Sequence, residues 1–379
     1  MNNKFIGGAT KQILNMAGKP MQKNNQMIQQ LSQTTQRNFA ASAGVATRMT
    51  VRDAINSAMC DEIERDEKVF LMGEEVAQYN GAYKVSKGMW DTYGDKRIID
   101  TPITEAGLTG VCVGAGLYGL RPVVEFMTWN FALQAIDHIV NSTAKTHYMS
   151  GGDLRCPIVF RGINGVSTGV GAQHTQCFGS WYSNVPGLKV CSPWSAADAR
   201  GMLKAAIRDD DPIVFLENEM MYGVEFDMTA AEMDRDYVVP IGKAKIERLG
   251  TDCTITAHAK MVGHSLKAAE ILQRDHNISV EVINLRTLRP LDRRAIIDSV
   301  KKTNRIVNVE EGWPQCGIGA EVAACLMETD AFDHLDAPME RVTGAEVPMP
   351  YAASIENLAV PQVDNIVSSV LQCTYRNKK

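Results

Sequence analysis

Residues 105–126 read EAGLTGVCVGAGLYGLRPVVEF. From Glu105 to Leu120 the side chains are small and mostly apolar, which predicts a tightly packed helix. Arg121-Pro122 breaks it, because proline cannot donate the amide hydrogen that a helix interior needs. Val123-Val124-Glu125-Phe126 then reads as a short buried strand. The same alternation spreads outward from this stretch. Upstream, Thr50 caps a helix through Ile63, Val69 to Met72 forms a strand, and Arg97 to Asp100 forms another, closed by Thr101-Pro102. Downstream, a helix is expected from Phe131 to Thr146 and a strand from Pro157 to Phe160. A Gly-rich loop from Gly162 to Gly171 follows, then strands at Leu188–Cys191 and Ile213–Leu216, with a helix between them from Ser195. Glu217 to Pro240 is polar and reads as a linker. Beyond it the pattern restarts, with strands at Cys253–Ala257, Val280–Asn284 and Arg305–Val309 alternating with helices at Gly263–Gln273, Arg293–Lys301 and Gly319–Met327. The strands are short and apolar on both faces, so they belong to parallel sheets covered by helices on each side. The fold class expected is α/β, with two three-layer αβα domains and mainly parallel sheets, over residues 47–230 and 240–373.

The 379 residues are 45% hydrophobic and 22% charged, with a net charge of −5. That is a globular balance, with no basic field for nucleic acid or anionic lipid. No stretch approaches the roughly 20 apolar residues that span a bilayer. The nine cysteines are scattered without a CxxC pair, so they read as reduced thiols, with no zinc site or disulfide framework. Residues 1–46 differ from the rest. They carry Lys4, Lys11, Lys19, Lys23 and Arg37, and no acidic residue occurs before Asp53. A basic, hydroxyl-rich, acid-free leader predicts a mitochondrial transit peptide, the alternative being a tail without an address.

Gly114-Ala115-Gly116-Leu117-Tyr118-Gly119 matches G-x-G-x-x-G. A dinucleotide loop of this kind must leave a strand and open a helix. Here it falls inside or at the end of a helix, so close helix packing is the simpler expectation. No phosphate loop of the G-x-x-x-x-G-K-[ST] form occurs. Glu74-Glu75 reads as a pair that caps or solvates a turn. The residues alone lead to an α/β protein with the character of an enzyme and no assigned reaction.

Longer strings say more. Gly73-Glu74-Glu75-Val76, Arg97-Ile98-Ile99-Asp100-Thr101-Pro102-Ile103-Thr104-Glu105, Glu125-Phe126-Met127-Thr128-Trp129-Asn130-Phe131, Gly171-Ala172-Gln173-His174, Asn284-Leu285-Arg286-Thr287-Leu288-Arg289-Pro290 and Glu310-Glu311-Gly312-Trp313 occur in this order. From about Thr50 onward the chain closely resembles the family of mitochondrial pyruvate dehydrogenase beta subunits, within the 2-oxo acid dehydrogenase and transketolase-like proteins. The resemblance implies a pyrimidine-binding domain followed by a transketolase C-terminal-type domain. It implies a heterotetramer of two alpha and two beta chains sharing thiamine diphosphate. The alpha chain of this family holds the diphosphate and magnesium with a G-D-G…N-N motif that is missing here. Glu105 matches the coenzyme-activating glutamate, whose carboxylate favours the imino tautomer of the aminopyrimidine. Its other reading is a helix-terminal glutamate in a favourable dipole. Phe131 and Gln134 match residues lining the pyrimidine ring, although Phe131 by itself reads as core. His174 matches an active-site histidine that stabilises an intermediate or meets the lipoyl group.

The resemblance also implies a structural potassium ion at Ile158, Ala206, Ile207, Asp209 and Asp211, held mostly by backbone carbonyls. Asp211 departs from the neutral side chain more usual at its position. The reaction implied is oxidative decarboxylation of pyruvate in the mitochondrial matrix, with acetyl transfer to a lipoyl group on the dihydrolipoyl acetyltransferase core. The second domain would serve dimerisation and docking to that core. The nearest rival is a branched-chain 2-oxo acid dehydrogenase beta subunit. Rivals of other classes are a nicotinamide-dependent dehydrogenase using the Gly114–Gly119 loop and an inactive scaffold with Glu105 turned away from any cleft.

Overall fold

The computed structural model describes residues 47–375. The expected transit segment, residues 1–46, lies outside the described residues. The chain opens with β1 (Thr47–Thr50) and α1 (Val51–Arg65). Thr50 caps α1 by accepting the Asp53 amide at 3.1 Å, a cap worth about 1 kcal/mol. The apolar face of α1, from Val51 through Ala54, Ile55, Ala58 and Met59 to Ile63, is buried. Next come β2 (Val69–Gly73), β3 (Ile98–Asp100), α2 (Glu105–Leu117), β4 (Arg121–Glu125), β5 (Val159–Ile163), β6 (Lys189–Cys191), α3 (Ala196–Arg208), β7 (Ile213–Glu217) and β8 (Glu225–Met228). The second half holds β9 (Lys245–Arg248), β10 (Cys253–Ala257), α4 (Lys260–His276), β11 (Val280–Asn284), β12 (Thr287–Arg289), α5 (Arg293–Thr303), β13 (Ile306–Val309), α6 (Ile318–Met327), β14 (Glu340–Val342) and α7 (Val363–Cys373).

A seven-stranded sheet runs in the order β12-β6-β7-β5-β4-β2-β3, and a five-stranded one in the order β14-β13-β10-β11-β9. Every pairing in them is parallel except β12 on β6 and β9 on β11. The period of two in a strand sorts the first sheet's side chains into two cores. Val69, Leu71, Val123, Val159, Ile213 and Phe215 face α1 and α3. Phe70, Met72, Val124, Phe160, Val214 and Leu216 face the other way, toward α2. That second core continues without interruption into Ile283, Ile296, Val300, Ile318 and Val322 of the second half. A third core packs α4 and α7 on the outer face of the five-stranded sheet. The expected α/β class, with helices on both faces of mainly parallel sheets, is what the chain adopts.

Two expectations are corrected. Phe131 to Thr146 is not one α-helix: a 3-10 turn at Ala132–Ala135 leads into a π-helix at His138–Thr143 and a short α-helical turn at Thr146–Met149. Hydroxyls take the carbonyls that a regular ladder would use, Thr143 Oγ1 donating to His138 O at 2.7 Å and Thr146 Oγ1 to Ser142 O at 2.5 Å. The Ala144 amide reaches back five residues to Ile139 O. Such side-chain competition is invisible to apolar spacing. Nor is Glu217–Pro240 a free linker. β8 pairs with β1, and the buried Arg200 guanidinium donates to the carbonyls of Glu232, Met233 and Asp234 at 2.8–3.1 Å. The segment is polar because it lies on the surface, and it is held there from beneath.

Candidate active site

In an open parallel sheet, ligands bind outside the carboxyl ends of the strands. At that edge of the first sheet, Glu74 follows β2, Thr101 follows β3, Thr128 and Phe131 follow β4, and Asn164 follows β5. Asp100 shapes the turn after β2 by accepting the Ala77 amide at 2.7 Å. Glu105 is the first residue of α2, behind the cap Thr104. Its carboxylate therefore sits at the positive end of the helix dipole. Glu105 is only 4% exposed, yet its Oε2 has no hydrogen-bond partner. A buried polar atom left unmatched costs about 1–3 kcal/mol. Beside it lies Glu74, also buried, whose Oε1 accepts the Thr104 amide at 3.1 Å. Burial, and then the charge of Glu105, push the Glu74 carboxyl upward. Two carboxyls sharing one dry pocket favour retention of a proton between them.

Phe131 and His174 are brought together. Their rings meet edge to face, 5.1 Å between centroids and 81° between planes. The Gln176 amide ties the two loops by donating to Asn130 Oδ1 at 3.1 Å. Gln134 lies on the 3-10 turn that packs against α2, with its side chain exposed. Around α2 the surface is apolar, Ile103 being 80%, Val111 59% and Tyr118 90% exposed.

Beneath this edge, Arg161 of β5 is buried between strands. It forks onto Glu217 of β7 at 2.6 and 2.7 Å and also binds Glu125 of β4. The Tyr222 hydroxyl donates to Glu217 at 2.5 Å. Burial raises Glu125 against the pull of Arg161. It works to lower Arg161, but the two carboxylates outweigh it and hold the guanidinium charged.

Ile158, Ala206, Ile207, Asp209 and Asp211 also gather, but at the opposite edge of the sheet, where β4, β5, β6 and β7 begin. Arg121 donates to the carbonyls of Ile207 and Asp209 at 3.1 and 3.0 Å. Lys189 Nζ reaches both Asp209 carboxylate oxygens at 2.9 and 2.7 Å and lies 3.0 Å from Asp211.

The chain matches the family model of the transketolase pyrimidine binding domain over residues 47–225 and that of the transketolase C-terminal domain over residues 242–366. It is 62% identical over 330 residues to the mitochondrial pyruvate dehydrogenase E1 component subunit beta of Dictyostelium discoideum, covering 87% of this chain and 92% of that one. The human subunit of the same name is 57% identical over 343 residues, covering 90% and 95%. The chain belongs to the family of mitochondrial pyruvate dehydrogenase E1 beta subunits. A split-gene transketolase solved as an inactive beta4 tetramer shares the fold of this chain, with a TM-score of 0.70 at 21% identity over 86% of this chain and 98% of that one.

Membership of the E1 beta family sets aside the branched-chain and nicotinamide alternatives. The Gly114–Gly119 string agrees, since it ends α2 ahead of β4 instead of linking a strand end to a helix start. The packing expected of it holds in part. Gly116 abuts Cys156 and Pro122, whereas Gly114 and Gly119 face open space. Sequence reading missed Glu74, taken for a solvated turn residue. It also missed the Arg161 cluster, and Glu311, whose buried carboxylate contacts the Gly-rich loop from the second half. Nothing in the spacing of these lone charges marks them.

Proposed function

We propose that this chain builds the aminopyrimidine half of a thiamine diphosphate site for pyruvate dehydrogenase, with Glu105 as the carboxylate that meets the ring. The observation that carries this reading is the buried, unpartnered Oε2 of Glu105, an acceptor suited to a ring nitrogen. The match to the transketolase pyrimidine binding domain supports it. When bound, thiamine diphosphate supplies a nucleophilic carbon for the 2-oxo group and a sink for the electrons left by decarboxylation. Glu105 offers Oε2 as a buried acceptor, placed to share a proton with a weak base. Glu74, its carboxyl pushed upward by burial and by the charge of Glu105, retains a proton beside it more readily than a free carboxyl does. Phe131 offers an aromatic wall, Gln134 an amide at its rim, and His174 a proton donor or acceptor at the exposed mouth.

The alpha subunit would hold the diphosphate and magnesium, for which this chain lacks the motif, in a tetramer of two alpha and two beta chains. The apolar surface of Ile103, Val111 and Tyr118 supports a covering partner there. The second half would dock the dihydrolipoyl acetyltransferase core. At the far corner, carbonyl-rich oxygens from Ile158, Ala206, Ile207, Asp209 and Asp211 suit a weakly demanding cation such as potassium. Arg121 and Lys189 already donate to several of these oxygens, so an ion there would share them. A structural ion would raise the melting temperature in potassium over choline chloride by about 2–4 °C, and equal melting in both salts counts against it.

The test of Glu105 uses the chain assembled with its alpha subunit. Glu105→Gln should lower pyruvate decarboxylation by a factor of about 10²–10⁴ while the complex still binds the coenzyme, followed by quenching of protein fluorescence. Unaltered turnover in the assembled variant refutes the assignment.

A further inference from the structure

His174 stands at the end of a glycine-rich loop that the first half of the chain does not hold alone. The Glu311 side chain, 6% exposed, enters from the second half. Its Oε2 accepts the Val166 amide at 3.3 Å and the Asn218 side-chain amide at 3.1 Å. Gly165, at φ +85°, lies so close that a methyl group there would come within 2.3 Å of the same oxygen. Only a glycine brings the loop onto this carboxylate. Two further contacts come from the second half. Glu356 Oε1 accepts the Gly169 amide at 3.0 Å, and the Tyr351 ring closes on Gly171.

The other oxygen of Glu311 faces inward. Oε1 lies 3.7 Å from the Lys260 ammonium and makes no hydrogen bond. The hydroxyl of Thr175, next to His174 and 4% exposed, is also unpartnered. Both residues line one small cavity of about 20 Å³, a volume that admits a single water. The Gly165 amide donates to Gln176 O at 2.9 Å and closes the base of the loop.

We propose that Glu311 is a positioning residue for the reaction: through Val166, Asn218 and a water shared with Thr175, it fixes the loop that presents His174 edge-on to Phe131. The proposal rests on the reading of His174 as an active-site residue.

Glu311→Gln and His174→Ala are compared in the assembled tetramer. Three quantities are read: kcat and KM for pyruvate, acetyl transfer to a free lipoyl domain, and amide hydrogen exchange over residues 164–174. Glu311→Gln should lower kcat about ten- to a hundredfold, as a small misplacement of a reacting group does, with little change in KM. Exchange should quicken in residues 164–174 and stay unchanged elsewhere. Wild-type kcat and exchange in Glu311→Gln, with His174→Ala impaired, overturn the positioning role alone. Full activity of His174→Ala overturns the active-site reading instead, and loop exchange still decides whether Glu311 holds the loop. If Glu311→Gln does not assemble, the near-isosteric Thr175→Val carries the test, with the same fall in kcat expected and an unchanged kcat refuting it.

Discussion

His258 ends just beyond β10, fully enclosed, with Nδ1 3.0 Å from Ser192 Oγ and Nε2 unpartnered. Burial lowers its pKa to about 4, so the native ring is neutral at pH 7. An unfolded histidine titrates near 6.5. Between these values the unfolded chain binds more protons than the native one. The stabilisation is complete above about pH 6.5 and is lost as pH falls toward 4, with ~2 kcal/mol gone by pH 5. The fall in unfolding free energy between pH 7.5 and 5, read from urea melts, should be smaller in His258→Gln than in the parent protein by about that amount. An identical drop in both would show that His258 does not drive it. Glu74 illustrates the complementary case. As letters, Glu74-Glu75 is a solvated turn, and Glu75 is indeed exposed. Only folding brings the Thr104 amide over Glu74, and no local pattern encodes that approach.

At the scale of elements, Arg161 clasps β4 and β7 to β5 through Glu125 and Glu217. Removing the guanidinium leaves two buried carboxylates without a counter-charge. Arg161→Met should therefore cost about 3–5 kcal/mol, read as a fall in the chemical denaturation midpoint of the complex. A loss below about 1 kcal/mol would mean the carboxylates simply take up protons. The strands that the sequence revealed best are buried throughout, such as β2, β7, β10 and β11, since a mostly apolar run has few other destinations. β12 was not legible, because its partner β6 lies in the other half of the chain. The π-helix was not legible either, because Thr143 and Thr146 act through carbonyls that hydropathy does not register. Glu105, Phe131, Gln134 and His174 are assigned from longer strings resembling a family, since each alone has a plain packing or capping role.

For the whole molecule, the surface around α2 carries the largest consequence. Val111 is 59% exposed on an otherwise apolar helix. Val111→Asp should leave the fold within about 0.5 kcal/mol of the parent, as exposed substitutions do. It should nevertheless prevent stable assembly with the alpha subunit, seen as a smaller particle by light scattering after coexpression. Normal assembly would place the partner elsewhere. The two sheets are themselves inseparable in a practical sense. β12 closes the edge of the first sheet from within the second half. Arg286 grips the buried Asp198 of α3 at 2.6 Å, and one apolar core runs through both halves. A protease nicking the exposed backbone near Asp236 would thus cut the polypeptide without dividing it. The product would run as two bands in denaturing gel and as one species in native gel.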